Sequence, residues 1–419
     1  MGNIENKSQG TRVHRRRVFY IPGYDPIPPR RYRELYRKES AAQAEISGYE
    51  IELAAKTVKT GSYGWRVHST IEDAKTTTDV DVLVWSDIVR DSMENSILAT
   101  YLQLIQTAWI YISTGALGRL MTLRKGPVIA ALYPIGMLLA QALLAGLLVW
   151  GTAWACIGVA GLFSVSGFFV QSISLLLGLL LGVGVLRWFK KLDGKFFAYY
   201  LMHDYAYSAS SKGAYSPDLE GRIAEFTVLI RTALNDDQLD EVLVVGHSSG
   251  AHIAVSVLSD MIRTGLPDDH PTLGFLSLGQ VVPMVSFLPK AYRLRGDLKF
   301  LSQRDELAWV DVTAPGDGCA FALCDPVSVS GVGADGKLWP LVFSAAFTQT
   351  LSPQRWAELR WRFFRLHFQY LCAFDQPGDY DYFQITAGPV TLQERYRDRK
   401  PSQSRIDQAV SKYTAVSAT

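Results

Sequence analysis

Between Lys125 and Arg187 the chain carries no Asp, Glu, Lys, Arg or His. A soluble helix turns at least one face to water and does not run about 60 residues without such a group, whereas a bilayer crossing requires ~20 apolar residues in succession. The run therefore predicts two transmembrane helices joined by a short link, placed at 127–150 and 165–186. Gly151 to Ser164 between them is small and apolar; it either extends the second helix or dips back into the bilayer. Arg119, Arg124 and Lys125 precede the pair, and Arg187, Lys190, Lys191 and Lys195 follow it. Positive flanks stay on the cytoplasmic side. Both termini are thus predicted to be cytoplasmic, in an integral protein of a plasma or inner membrane. Trp150, Trp154 and Trp188 fit interfacial anchors, and Gly178 with Gly182 forms a G-x-x-x-G that is either a helix-packing face or a coincidence of a Gly-rich span.

Two crossings return the chain to the side it left, so the segments before and after the hairpin can share one sheet. The predicted organisation is a basic polar tail at 1–16, the first part of a soluble core at 17–100, and a membrane insertion at 101–200. The catalytic part of the core follows at 201–395, then a frayed polar tail at 396–419. Lys+Arg of 42 against Asp+Glu of 40 gives a formal charge of +2, and no nucleic-acid partner is expected from that balance. The cluster Arg12 to Arg17 is read as a solvated tail, a contact for anionic lipid or a nucleic-acid arm. The first 17 residues hold no apolar run of signal-peptide type, and Asn6 stands where myristoylation requires Ser or Thr. Cys156, Cys319, Cys324 and Cys372 lack metal-site spacing and read as unpaired thiols of a reducing compartment. No metal or cofactor is expected.

Asp240 to Ile262 carries the chemistry. Val242 to Val245 suits a buried parallel strand, and Ile253, Val257 and Met261 recur at helical spacing, so Gly246-His247-Ser248-Ser249-Gly250 is a turn between strand and helix. In G-x-S-x-G the glycines let strand and helix approach closely, and the serine is held exposed in a strained conformation. The Ser249 N–H, at the helix start, points where an oxyanion would form if Ser248 attacked an acyl group. Ser248 is the candidate nucleophile.

With this motif the chain resembles the α/β-hydrolase superfamily of lipase- and esterase-like serine hydrolases, outside the inserted hairpin. The resemblance implies an α/β fold, a mostly parallel sheet flanked by helices, interrupted here by the transmembrane pair. It implies the chain order Ser, acid, His. Beyond Ser248 the histidines are His252, on the elbow helix, His270, ahead of any plausible acid, and His367. By that order His367 is the base. It sits after Arg360–Leu366, which reads as a last strand; alternatively it is a histidine satisfied beside Tyr370. The acid is expected on the loop after the strand two beyond the nucleophile's, where Leu307–Thr313 is followed by Asp317; Asp325 and Asp311 remain alternatives. The resemblance also makes Arg17 to Ile21 a strand whose loop, Pro22-Gly23-Tyr24, supplies a second oxyanion donor from the Tyr24 N–H, with Gly23 allowing the turn.

Around these, Arg30 to Ile46 is predicted helical, and Tyr63–Thr70 and Val80–Trp85 are predicted strands of a reduced core lacking the usual first two. Tyr101 to Ser113 lies along the membrane or is an ordinary buried helix. His203 to Tyr215 is a linker or a lid. Ser216-Pro217 starts a helix with Ile223, Phe226, Ile230 and Leu234 on its buried face. The expected function is cleavage of an acyl ester, lipid or membrane-partitioned, through a Ser248-His367-Asp317 triad. Alternatives are an acyltransferase or thioesterase with the same triad, and a non-catalytic interaction protein on the same fold.

Overall fold

Every residue of the strand Glu241–His247 is buried. A run of Val and Leu covered on both faces needs a strand on each side and helices above and below. The structure is a computed structural model describing residues 12–24, 27–56, 62–85, 87–88 and 96–417. Eight strands form one sheet: β1 (Arg15–Ile21), β2 (Glu50–Ala55), β3 (Gly64–Ile71), β4 (Ala74–Val82), β5 (Glu241–His247), β6 (Thr272–Leu278), β7 (Leu307–Thr313) and β8 (Leu341–Ser344). Their order is β2-β3-β4-β1-β5-β6-β7-β8. From β4 across to β8 the pairings are parallel, whereas β2, β3 and β4 are antiparallel.

After β1 the chain goes to one side of the sheet, and after β5 it goes to the other. Loops leaving the carboxyl ends of these neighbours therefore diverge, which opens a crevice between them. Pro22-Gly23 and Ser248 stand at that point.

Period-2 alternation sends Val18, Tyr20, Leu243 and Val245 into one core with Tyr32 and Tyr36 of the helix Pro29–Ser47. Proline in the first turn suits that helix start, and Gly48, at φ 72°, stops it. The helix Gly250–Arg263 buries Ile253, Val257 and Met261 completely. Ser216 caps Pro217–Leu234, accepting the Leu219 N–H at 3.2 Å.

Two compact units are present. One comprises Met1–Val89, Tyr111–Ala130 and Ser211–Thr419 and holds the sheet; the other comprises Arg90–Ile110 and Ala131–Ser210. These bounds differ from those of the expected insertion at 101–200. Residues 111–130 belong to the sheet unit because Tyr111 Oη donates to Met284 O at 2.9 Å and Arg124 Nε to Ala322 O at 2.8 Å. Residues 201–210 belong to the other unit, within the helix Ala198–Ser210, where a linker or lid was expected.

Four further expectations change. The sheet is not reduced: β2 extends it at an edge, and β4 starts at Ala74, ahead of the expected Val80. Arg15 and Arg16 are strand residues, outside any tail; Arg16 is fully buried, donating to Glu241 Oε2 at 2.5 Å, Gly388 O at 2.7 Å and Val390 O at 2.8 Å. The C-terminal segment is packed, since Ile406 N donates to Leu323 O at 2.7 Å and Val410 N to Val329 O at 3.0 Å. It thereby satisfies carbonyls that the loop after β7 would otherwise leave bare. Lastly, 360–366 is no strand: the sheet closes with β8, and His367 ends the short helix Phe363–His367.

The apolar run forms helices Lys125–Leu162 and Phe168–Lys191, both long and apolar enough to cross a membrane. The link therefore extends the first helix, not the second. A Cβ on Gly178 would stand 2.6 Å from Val149 O and one on Gly182 3.2 Å from Ala145 O. The G-x-x-x-G is a packing face, because only hydrogen permits that approach. Leu98, Leu102, Ile105 and Trp109, four residues at helical spacing on Ile97–Ser113, are exposed. The same helix packs Leu104 against Leu138 and Met202.

Arg16→Ala is expected to destabilise the sheet unit by ~3–5 kcal/mol, because Glu241 would be left charged and unpaired in the core. Chemical denaturation of the detergent-solubilised protein, with the double variant Arg16→Met/Glu241→Leu recovering most of the loss, checks this.

Candidate active site

β5 runs straight into the turn. Ser248 adopts φ 57°, a left-handed conformation that costs a residue with a Cβ about 1–2 kcal/mol. The turn holds because the chain cannot open: a Cβ on Gly246 would lie 2.7 Å from Ala251 Cα, and one on Gly250 2.1 Å from Ile21 O. Ser248 N donates to Leu278 O at 2.9 Å, tying the serine to the end of β6. From the other side Gly23 closes in, where an added Cβ would be 2.9 Å from Ser248 Cβ and 3.4 Å from its Oγ. Ser248 itself is half-buried. It is presented at the crevice between β1 and β5.

The Tyr24 N–H, expected as an oxyanion donor, instead donates to Ser249 Oγ at 2.7 Å. A short hydroxyl one residue past Ser248 reaches this donor because Gly23 lets the two loops touch. Serving an oxyanion there would require the Ser249 side chain to turn away. Ser249 N precedes the helix Gly250–Arg263 and has no acceptor among the described residues.

His367 and Asp317 meet at the ends of different elements. Asp317 lies on the loop after β7, and its Oδ2 is 2.7 Å from His367 Nδ1. The same carboxylate accepts the Tyr370 hydroxyl at 3.0 Å and, through Oδ1, the Cys319 N–H at 2.8 Å. Three donors on one buried carboxylate fix its orientation. With Nδ1 donating to Asp317, the lone pair of His367 is on Nε2. Gly279, at φ 51°, makes room for the ring: a Cβ there would be 3.0 Å from His367 Cε1 and 2.7 Å from Tyr370 Cε2. Ser248 and His367 thus share the Leu278-Gly279 corner, yet no hydrogen bond joins them among the described residues. Such contacts commonly tighten only when substrate is bound.

His247 adds a contact that sequence reasoning left out. Its Nε2 is 3.0 Å from His367 O, and a carbonyl only accepts, so Nε2 carries the proton. The rings lie 4.8 Å apart. Burial, reinforced by His367, pushes the His247 imidazole down to about 3. It is a neutral strut beside His367. Tyr370, which also donates to Asp317 and accepts the Ala314 N–H at 2.9 Å, was read only as an aromatic neighbour. The available signal was Gly279 directly after β6, a glycine whose reason becomes visible only once His367 is in place.

The alternative acids are occupied elsewhere. Asp325 caps the turn Pro326–Val329, accepting from Val327 N and Ser328 N, and pairs with Lys337. Asp311 accepts the Ser277 hydroxyl at 2.5 Å inside the sheet; burial pushes its carboxyl up to about 8, while the Ser277 bond opposes this. Asp317, Cys319 and His367 present donor atoms within 4.8 Å of one another. Burial and the nearby Asp317 charge push the Cys319 thiol well up, away from the thiolate a metal would need. The Asp317–His367 hydrogen bond would also have to give way to an ion.

The chain matches no protein-family model, no curated protein and no solved structure.

Between the ordinary carboxyl value of 3.8 and about 8, folded Asp311 holds a proton that the unfolded chain has released. Its contribution to stability therefore declines as pH rises through that window. Thermal melts of Asp311→Asn from pH 5 to pH 8 are expected to show a flatter decline than wild type; an unchanged slope would mean that Asp311 is ionised in the fold.

Proposed function

We propose that this chain is a membrane-anchored serine hydrolase of the α/β-hydrolase superfamily, cleaving an acyl ester through Ser248, His367 and Asp317. The observation that carries the reading is the left-handed Ser248 between β5 and its helix, with a His–carboxylate pair delivered to the same corner from the far ends of the fold. A strained serine is expensive, and an interaction protein would have no reason to keep it beside an oriented imidazole.

In this mechanism His367 Nε2 takes the Ser248 proton as Oγ bonds to the ester carbonyl carbon. The Ser249 N–H stabilises the resulting oxyanion, joined by Tyr24 N–H once the Ser249 hydroxyl has rotated. Collapse breaks the bond to the alcohol, which leaves with the proton held by His367. Water then repeats the sequence on the acyl-enzyme and releases the acid. Asp317 keeps the imidazole in its tautomer and stabilises its cation throughout.

A lipid or other membrane-partitioned ester is the substrate class favoured by the two membrane-length helices. The exposed stripe Leu98, Leu102, Ile105 and Trp109 would lie in the interface beside the two crossings. The cationic flanks favour a catalytic unit and termini on the cytoplasmic side.

A fluorophosphonate probe is expected to label the solubilised protein at Ser248, with labelling lost in Ser248→Ala and His367→Ala. Asp317→Asn should slow hydrolysis of short-chain ester by on the order of 10³–10⁴. Absence of labelling in folded wild type would refute the serine chemistry.

His247→Phe keeps a ring of similar size and removes the donor to His367 O. A single hydrogen bond is worth ~1–1.5 kcal/mol, so kcat is expected to fall about ten-fold with little change in KM. Equal loss in KM would assign His247 to substrate binding instead.

A further inference from the structure

A cleft of about 320 Å³ opens in the sheet unit behind the segment that bears His367. Arg31 and Lys38, from the helix Pro29–Ser47, face Arg355 and Arg365 across it. Glu39 is the single acid of the lining. Its carboxylate already accepts the Ala373 N–H at 3.1 Å and lies 3.4 Å from Lys38 Nζ and 3.9 Å from Arg355. Arg365 touches Glu358 at 3.0 Å, an exposed carboxylate that Arg362 also contacts at 3.4 Å. Arg31 has no acidic partner among the described residues. Arg355 Nε is buried and without a hydrogen-bond partner.

Four cations share one lining with a single carboxylate, which only Lys38 and Arg355 approach, and a concave wall of low dielectric concentrates their field. Arg355, with its Nε donor unsatisfied, is a guanidinium of the kind that grips phosphate in two-pronged fashion. Leu35, Leu359 and Phe368 supply apolar surface to the same lining, beside the polar Gln369. We infer that this cleft binds the phosphate group of an amphiphile, its charge on Arg31, Arg355 and Arg365 and its apolar part against that apolar surface. This inference does not rest on the serine chemistry. Phe368 follows His367 directly and its ring lies 5.1 Å from His247, so an occupied cleft would bear on the base from behind.

The test is titration calorimetry of the full-length protein in neutral detergent, both wild type and Ser248→Ala, with three probes: dihexanoyl phosphatidate, inorganic phosphate and dihexanoylglycerol. The expected result is phosphatidate bound at least ten-fold more tightly than dihexanoylglycerol. Arg31→Gln/Arg365→Gln, two exposed positions, should lose at least ten-fold with an unchanged melting temperature, and Arg365→Lys should lose less. Inorganic phosphate as tight as phosphatidate would keep the phosphate site and make its ligand soluble. Equal binding of the phosphate-free lipid, or full binding by the double Gln variant, overturns the inference, as does no binding of either phosphate probe. Binding without fluorophosphonate labelling would uphold this site while removing the hydrolase reading.

Discussion

The arrangement at the crevice depends on one close approach, that of Gly250 to the carbonyls closing β1. An added Cβ would sit 2.1 Å from Ile21 O and 2.4 Å from Pro22 O, so hydrogen alone fits. This contact sets the start of the helix Gly250–Arg263 against the end of β1 and leaves Ser248 no extended conformation to relax into. The same contact brings Gly23 onto Ser248 and Tyr24 N–H within reach of Ser249 Oγ. Ser248, its turn and the neighbouring loop are a single steric unit.

Behind it, charge pairs lock the strands whose ends form the crevice. Arg16 on β1 and Glu241 on β5 are buried together, and Glu241 Oε1 also accepts Leu392 N–H at 2.7 Å. Arg17 on β1 reaches Asp81 on β4 at 2.5 Å. The basic cluster that looked like a tail is thus the register pin of the central strands. Buried ion pairs add little net stability, yet they penalise any slipped pairing that leaves a charge alone. That penalty is what a crevice built from two adjacent strand ends requires.

Much of the architecture was legible because it rests on local rules. The buried run of Glu241–His247, the Ser216-Pro217 helix start and Leu307–Thr313 all follow from apolar run length, capping and β-branched content. So do the two long apolar helices. The misreadings share a different cause. Arg360–Leu366 alternates enough to pass for a strand, but its cations belong on a surface helix beside Glu358, and the edge position is taken by Leu341–Ser344. The polar C-terminal segment has no apolar pattern to announce it; backbone hydrogen bonds to Leu323 and Val329 hold it down. Propensity cannot foresee partners 80 residues away.

By itself, the sequence determined the position of the strained serine and the presence of two membrane-length helices, because glycine spacing and uncharged length act through neighbours in the chain. Only the tertiary structure decided that Asp317 meets His367 and Tyr370, that His247 braces His367, that Tyr24 N–H is already engaged, and that four cations line one cleft. Those facts depend on which chain ends the sheet order brings together, and hydrogen-bond geometry is resolved only when distant elements have been packed to within 3 Å of each other.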